Sequence, residues 1–143
     1  MIKAGVAYYT RTGHSRRIAE TVAQALSLPV KTITDLPEPT ELMFIVGAVY
    51  FSRSAPQMLK AVRRLSNRLV KRAVLITTSG SGRGQKETRR VLAERGIMVE
   101  DEEFICRGKI LCFNRGRPSE QDIRDAVAFA KRMLEKYNCT PTD

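Results

Sequence analysis

Residues 2–15 read IKAGVAYYTRTGHS, an apolar run followed by a short polar turn. The run Ile2–Tyr9 is rich in residues that favour strands, and Gly13 marks the turn. A helix is predicted over Ser15–Leu26, because apolar residues recur there at helical spacing: Ile18, Val22, Ala25 and Leu26. A strand, a turn and a helix in this order are the first unit of an alternating α/β fold.

The same alternation continues along the chain. Four more strands are predicted over Val30–Ile33, Leu42–Val49, Ala73–Thr78 and Ile97 to about Phe113, the last with a break at Gly108. Three more helices are predicted: one from Pro56 through Leu69, one around Val91 that stops at a glycine cap, Gly96, and one from a capping-box-like start at Ser119–Asp122 through Tyr137. Five apolar β units in strict alternation with four helices predict a parallel sheet with helices on both faces.

The composition fits one globular domain. The chain has 143 residues, of which 43% are hydrophobic and 28% charged, and we expect a single domain over residues 1–138 followed by a short tail over 139–143. No apolar run approaches the roughly 18 residues of a membrane helix, and no signal peptide is visible, so we expect a cytoplasmic protein without membrane insertion. Cys106, Cys112 and Cys139 form no disulfide framework, and with a lone histidine they suggest no metal site.

Charge is the unusual property of the chain. The formal net charge is +10, which predicts attraction to acidic proteins, nucleic acid or anionic surfaces. Basic residues are expected on the exposed faces of two helices: Arg63, Arg64 and Arg68 on one, and Lys86, Arg89, Arg90 and Arg95 on the next. No aromatic residues interleave with them, which argues against nucleic acid. The acidic run Asp101–Glu103 is expected to be solvated.

Ligands of an open parallel sheet bind beyond the carboxyl ends of its strands. Three predicted loops lie there: Thr10–Ser15, Tyr50–Ala55 and Ser79–Gly84. The first places three hydroxyls and a glycine directly before a helix, whose free N–H groups and macrodipole favour an anion. On this loop alone two interpretations stay open, a phosphate site and an ordinary turn with Ser15 as the N-cap of the helix.

Several other kinds of site lack their residues. The sequence has no GxxxxGK[ST] loop of nucleotide triphosphatases and no GxGxxG after the first strand. The first loop has no cysteine for a phosphatase, the third strand ends without the aspartate of a receiver domain, and no Ser–His–acid arrangement can be proposed. We therefore propose no catalytic residues.

The loops resemble those of a known family. Thr10–Ser15 resembles the flavodoxin phosphate loop, [ST]-x-T-G-N-[TS], although His14 stands in place of the asparagine. Gly47–Phe51 and Thr77–Gly84 are similar to the two loops that flank the flavin ring in flavodoxins. Later segments resemble the C-terminal pattern of flavodoxin-like proteins: Glu103–Gly108, Gly116–Pro118 and Phe129-Ala130. The resemblance implies a flavodoxin-like three-layer sandwich, with a five-stranded parallel sheet in the order 2-1-3-4-5.

The resemblance also implies a cofactor, FMN, and its binding residues. The phosphate would be held by the hydroxyls of Thr10, Thr12 and Ser15 and by the backbone of Arg11, Gly13 and His14. One side of the ring would be covered by Val49, Tyr50, Phe51 and Ser52, with Tyr50 or Phe51 stacking on it. The other edge would be lined by Thr78, Ser79, Gly80, Ser81 and Gly82.

The function implied by the resemblance is electron transfer through bound FMN. The protein would act as an electron carrier or as an FMN-dependent reductase for a protein or quinone partner, and the carrier is the preferred interpretation. An acidic partner protein is expected rather than nucleic acid, because no base-stacking aromatics accompany the basic residues of the two helices. The alternative is a flavodoxin-fold binding module without cofactor, which docks an acidic partner or nucleic acid through its basic helices.

Overall fold

The computed structural model describes residues 2–10, 13–35, 37–50, 53–79, 82–106 and 119–138. Its strands are β1 (Ala4–Tyr8), β2 (Val30–Thr32), β3 (Thr40–Tyr50), β4 (Arg53–Ser54), β5 (Val70–Ser79), β6 (Met98–Val99) and β7 (Phe104–Cys106). Its helices are α1 (His14–Leu26), α2 (Pro56–Val62), α3 (Lys86–Glu94) and α4 (Glu120–Asn138). None of these helices is long and apolar enough to cross a membrane.

The sheet has the predicted parallel topology. Its strands lie in the order β2-β1-β3-β5-β6, and β7 also pairs with β5 in parallel. β6 pairs with the start of β5 at Arg72, and β7 pairs with its end at Thr78. Together β6 and β7 therefore form one interrupted edge strand. The predicted order of five parallel positions is confirmed, and the part of the predicted fifth strand beyond Cys106 lies outside the described residues.

The end of β3 differs from the prediction. The segment Tyr50–Ala55 was expected to be a loop, but Tyr50 pairs with Arg53 and Val49 pairs with Ser54 in an antiparallel ladder. β3 and β4 are therefore the two antiparallel strands of a β-hairpin. The hairpin projects from the carboxyl end of the central strand.

Helices cover both faces of the sheet, and a hydrophobic core lies between the sheet and the helices on each face. On one face, the fully buried Phe44 and Ile76 of the sheet share a core with α1, including its Ile18, and with α4. Leu75 and Met58 belong to the opposite core, which α2 and α3 cover. The three-layer arrangement follows from the continuously apolar strands, because both of their faces must be covered.

Helix α2 is shorter than predicted. It ends at Val62, whereas the leucine spacing predicted a helix through Leu69. The backbone closes a tight turn instead: the N–H groups of Leu69 and Val70 both donate to the Ser66 carbonyl, at 3.0 and 2.9 Å. Leu65 is fully buried, as its place in the leucine spacing predicted, but it lies between α2 and this turn and not in a helix.

No helix joins β2 to β3, so the expected strict alternation is wrong at this connection. The chain passes from Thr32 to Thr40 through Pro37 and Pro39, which disfavour a helix interior. On this side of the sheet a cavity of about 200 Å³ borders β1 and β2. Its walls include Gly5, Ala7, Ile33, Met43 and Pro37.

Both predicted helix-end signals are confirmed. The Ser119 N–H donates to the Asp122 carboxylate at 2.7 Å, and the Asp122 N–H donates to the Ser119 hydroxyl at 3.1 Å, which is a reciprocal capping box. At the end of α3, Gly96 has a φ of 77°, and the Ile97 N–H donates to the Leu92 carbonyl at 3.0 Å. This is the left-handed ending that favours glycine.

The Glu100 carboxylate ties the edge strand to α4 and makes stability depend on pH. Burial of this carboxyl opposes ionisation, but hydrogen bonds from Tyr137 and Lys136 outweigh it and lower the pKa of Glu100. A lowered pKa stabilises the folded state above the pKa of the unfolded chain, and this stabilisation is lost as the pH falls through the folded value. We expect Glu100→Gln to lower the free energy of unfolding by about 1–3 kcal/mol at pH 7.

The difference between wild type and Glu100→Gln should shrink as the pH falls from about 5 to about 3, which urea unfolding at several pH values measures. A difference that stays constant over this interval would contradict the assignment. Glu135→Gln, which removes the same charge from an exposed position on α4, is the matched control.

Candidate functional site at the carboxyl edge of the sheet

A step in the sheet forms a crevice between β1 and β3. β1 ends at Tyr8, which pairs with Val46, whereas β3 continues to Tyr50. At about 3.3 Å per residue, β3 extends roughly 13 Å beyond its neighbour. β5 extends three residues beyond the end of β1, roughly 10 Å, because Ser79 pairs with Val49. The strand order reverses between β1 and β3, which is where open parallel sheets bind their ligands.

The start of α1 forms the low side of this crevice. Gly13 is the N-cap, with a φ of 90°, and its carbonyl accepts the Arg17 N–H at 3.0 Å. Among the residues that the structure describes, no side chain caps this helix, and its first turn has no acidic residue. The N–H groups of residues 14–16 therefore lack intrahelical acceptors, and the macrodipole makes this end of the helix positive. Ser15 is not the N-cap of α1, as one of the two interpretations of this loop expected, because Gly13 occupies that position.

Thr10 closes the turn that precedes α1. Its Oγ1 accepts the Gly13 N–H at 2.7 Å through a lone pair, so the hydroxyl proton is still available to an acceptor. Gly13 itself is exposed, and its positive φ is a conformation that other residues adopt only with strain. Ser15 is 1% exposed, so it packs inward from the same turn.

The high side of the crevice carries the other predicted residues. Val49, Thr78 and Ser79 are buried at the paired ends of β3 and β5. The Ser79 hydroxyl accepts the Arg83 N–H at 3.1 Å, and Gly82 has a φ of 78°, so the chain turns sharply after β5. The remaining predicted contacts lie outside the described residues: Arg11, Thr12, Phe51, Ser52, Gly80 and Ser81. The side chain of Tyr50 is also outside them.

Glu103 is a site-edge residue that the sequence analysis missed. Its side chain is 10% exposed, so the expectation of a solvated acidic run is wrong at this position. Its carboxylate accepts hydrogen bonds from the Thr77 hydroxyl at 2.6 Å, the Gln85 N–H at 2.9 Å and the Arg89 guanidinium at 3.1 Å. In the sequence, the one sign of this role is that Glu103 directly precedes an apolar strand. Its three hydrogen-bond donors come near only because β7 pairs with β5.

A buried glutamine lies beneath the same loop. Gln85 is fully buried, and its Nε2 donates to the Thr77 hydroxyl at 3.0 Å and to the Ile76 carbonyl at 3.4 Å. Its Oε1 has no hydrogen-bond donor within the described part of the chain. A Cβ atom at Gly47 would lie 3.0 Å from this oxygen and 2.6 Å from Met58 Cε. Gly47 on β3 therefore makes room for a polar side chain from the neighbouring loop.

The basic face of α3 is only partly free. Arg89 is half-buried and donates to Glu103 and to the Glu100 carbonyl, so its predicted exposed position is wrong. Arg95 is exposed, as predicted, but its Nε donates to the Leu65 carbonyl at 2.8 Å. Arg90 is exposed and approaches Glu94 within 3.9 Å. Arg89 on α3 and Arg95 just after it thus hold neighbouring segments of the chain in place.

Comparison with known proteins places this architecture. No family model matches the chain. An uncharacterized protein of Methanocaldococcus jannaschii is 27% identical over 138 residues, which span 85% of this chain and 91% of that protein.

Solved structures of similar architecture include two flavodoxins and an oxidoreductase. A flavodoxin from the domain Archaea superposes with a TM-score of 0.69 at 16% identity, covering 94% of this chain and 98% of that chain. Oxidised flavodoxin 2 from Bacillus cereus gives a TM-score of 0.67 at 12% identity and covers 94% and 99%. Rubredoxin oxygen:oxidoreductase from Desulfovibrio gigas gives 0.64 at 14% identity, with 96% of this chain matching 37% of that enzyme. The chain thus has the flavodoxin-like fold, as its loop motifs predicted.

Proposed function

We propose that this protein binds FMN at the carboxyl edge of its sheet and transfers electrons. The observation that carries the proposal is the start of α1, whose first N–H groups have no acceptor within the helix, whose first turn has no acidic residue and which no side chain of the described residues caps. Such a helix start stabilises a dianion held close to its backbone. It lies at the strand-order reversal of a fold shared with flavodoxins.

The residues at the edge fit the two ends of FMN. The N–H groups of residues 14–16 and the Thr10 hydroxyl would hold the phosphate, together with Arg11 and Thr12. The β3–β4 hairpin and the turn after Ser79 would flank the ring, because both project beyond the end of β1. Bound FMN supplies reversible electron transfer. The protein binds and orients it and keeps water from one side of it.

A visible spectrum of the purified protein tests the proposal directly. The expected result is a flavin absorption band in the isolated protein, or quenching of FMN fluorescence on titration with one FMN per chain. A protein that stays colourless and leaves the fluorescence of added FMN unchanged would exclude the redox role. Riboflavin and inorganic phosphate, titrated separately, would then report whether either half of the crevice binds anything.

The distribution of charge supports an acidic partner. Residues 42–86 carry nine Lys and Arg side chains and no Asp or Glu, whereas the other 16 basic residues nearly balance the 15 acidic ones. Exposed members of this segment include Lys60, Arg63, Arg64, Arg68 and Lys86. We propose that the electron partner is a protein with an acidic docking surface, and the protein acts as a carrier for it.

Electrostatic docking of this kind depends strongly on ionic strength. The rate of electron transfer to an acidic redox protein should fall steeply as salt rises above about 0.1 M, because the Debye length then drops below about 10 Å. A rate without salt dependence would argue against the acidic partner. If the protein binds no flavin, the same acid-free segment supports the alternative, a cofactor-free module that docks an acidic partner.

A further inference from the structure

The carboxylate of Glu103 joins three separate parts of the chain. It accepts a hydrogen bond from Thr77 at the end of β5, from the backbone of Gln85 and from Arg89 on α3. Two oxygens thus receive three donors in a site where the side chain is 10% exposed. A glutamine in this place would offer one acceptor oxygen and would turn an NH₂ group toward a donor. The site therefore requires a carboxylate.

The segment 82–85 packs directly against this carboxylate. A Cβ atom at Gly84 would lie 2.5 Å from Glu103 Oε2 and 2.7 Å from Oε1, so only glycine lets the backbone approach so closely. Gln85 follows and is fixed at both ends, by its N–H on Glu103 and by its side chain on Thr77. Glu103 thus fixes the Gly84–Gln85 end of the segment, while the Ser79 hydroxyl holds the Arg83 end.

The β3–β4 hairpin is held by α3, the helix that carries Arg89. The Ser54 N–H donates to the Glu87 carboxylate at 2.9 Å, and the Thr88 hydroxyl donates to the Ser54 hydroxyl at 3.2 Å. Arg89, one residue further along α3, binds Glu103. The first turns of α3 therefore hold both structures that rise above the end of β1.

We infer that Glu103 is a positioning residue for the ring end of the proposed flavin site. Its carboxylate fixes segment 82–85, and α3 relates that segment to the hairpin on the other side of the crevice. The inference rests on the proposed function, because the ring is the group that both structures would flank. The phosphate end is independent of Glu103, since it is built by α1 and Thr10 on the low side of the step.

Glu103→Gln separates the two ends of the site. We expect the dissociation constants of FMN and of riboflavin to rise by the same factor, about tenfold, because buried donors lose their acceptor. The dissociation constant of inorganic phosphate, measured by calorimetry, should stay unchanged. In the protein without flavin, amide hydrogen exchange over residues 82–86 should quicken by about tenfold or more.

Glu102→Gln is the matched control. It removes the same charge one residue away, from a side chain that is 49% exposed and pairs with Arg132 on α4. Flavin affinity and exchange over 82–86 should match wild type in this variant. Equal losses in both variants would mean that only charge acts, and equal losses of flavin and phosphate in Glu103→Gln would mean general loosening. Either result would overturn the inference.

A second variant keeps the test decisive if Glu103→Gln fails to fold. Gly84→Ala leaves every charge in place but sets a methyl group against the Glu103 carboxylate, and it should weaken both flavins without affecting phosphate. If wild type binds neither flavin, the proposed function fails. The exchange measurement still decides whether Glu103 fixes the segment, because unchanged exchange in Glu103→Gln would refute it independently of any ligand.

Discussion

Thr10→Val is expected to weaken FMN binding about 10- to 100-fold and to leave riboflavin binding within about twofold. Valine has nearly the shape of threonine but cannot accept the Gly13 N–H, which Thr10 Oγ1 accepts at 2.7 Å. It also cannot donate a proton to a phosphate. Hydrogen bonds to charged groups contribute about 1.5–3 kcal/mol, and only FMN has the phosphate that receives them. Fluorescence titration of both flavins measures the two constants.

Thr21→Val is the control for this substitution. Thr21 lies on α1, the helix that follows Thr10, and donates its hydroxyl to the Arg17 carbonyl at 2.8 Å, away from the helix start. Thr21→Val removes a hydroxyl in the same way as Thr10→Val does, and the affinities of this variant for both flavins should match those of wild type. A Thr10→Val protein that loses FMN and riboflavin equally would show that the turn supports the ring rather than the phosphate.

Phe44→Ala is expected to lower the free energy of unfolding by about 3–5 kcal/mol, a large part of the 5–15 kcal/mol typical of a domain. Phe44 is fully buried at the centre of β3, between Val6 on β1 and Val74 on β5. Removing its ring costs the transfer free energy of the ring and leaves a cavity under α1 and α4. Urea unfolding at constant pH measures the change.

Met98→Ala is the matched control, because this side chain is 60% exposed on β6. The substitution should change stability by less than about 0.5 kcal/mol. A small effect of Phe44→Ala would mean that α1 and α4 do not pack against the central strand as described.

The sequence predicted those elements whose signals are local. The capping box at Ser119 and the glycine cap at Gly96 depend on residues three or four positions apart, so their patterns are visible in the chain itself. The parallel order followed from apolar strands and from the resemblance of the first loop. The fold was therefore predictable nearly in full.

The errors arose where distant pairing decides the structure. The leucine spacing through Leu69 fits a helix, but Thr40 on the neighbouring strand donates to the Leu69 carbonyl at 2.8 Å and draws the chain into the sheet. The hairpin at Tyr50 has no glycine or asparagine pair to indicate a tight turn. In both cases strand pairing outweighs local preference.

The site was predictable in its phosphate half only. Hydroxyls around Gly13 are a local motif, whereas Glu103 meets Thr77 and Gln85 across 26 and 18 residues of sequence. A carboxylate that directly follows two other acidic residues has the composition of a surface segment. Its burial is set by the register of β7 on β5, which no local pattern encodes.

The direct connection from β2 to β3 has a consequence for how this protein tolerates change. With no helix between Thr32 and Thr40, the connection lies at the side of the sheet near the cavity, apart from the α1 start and from the α3 contacts. The entropy of closing a loop grows only slowly with its length. Inserted peptides or affinity tags at Glu38–Pro39 should therefore leave the fold and the crevice intact, which makes this connection the natural point for attaching a reporter.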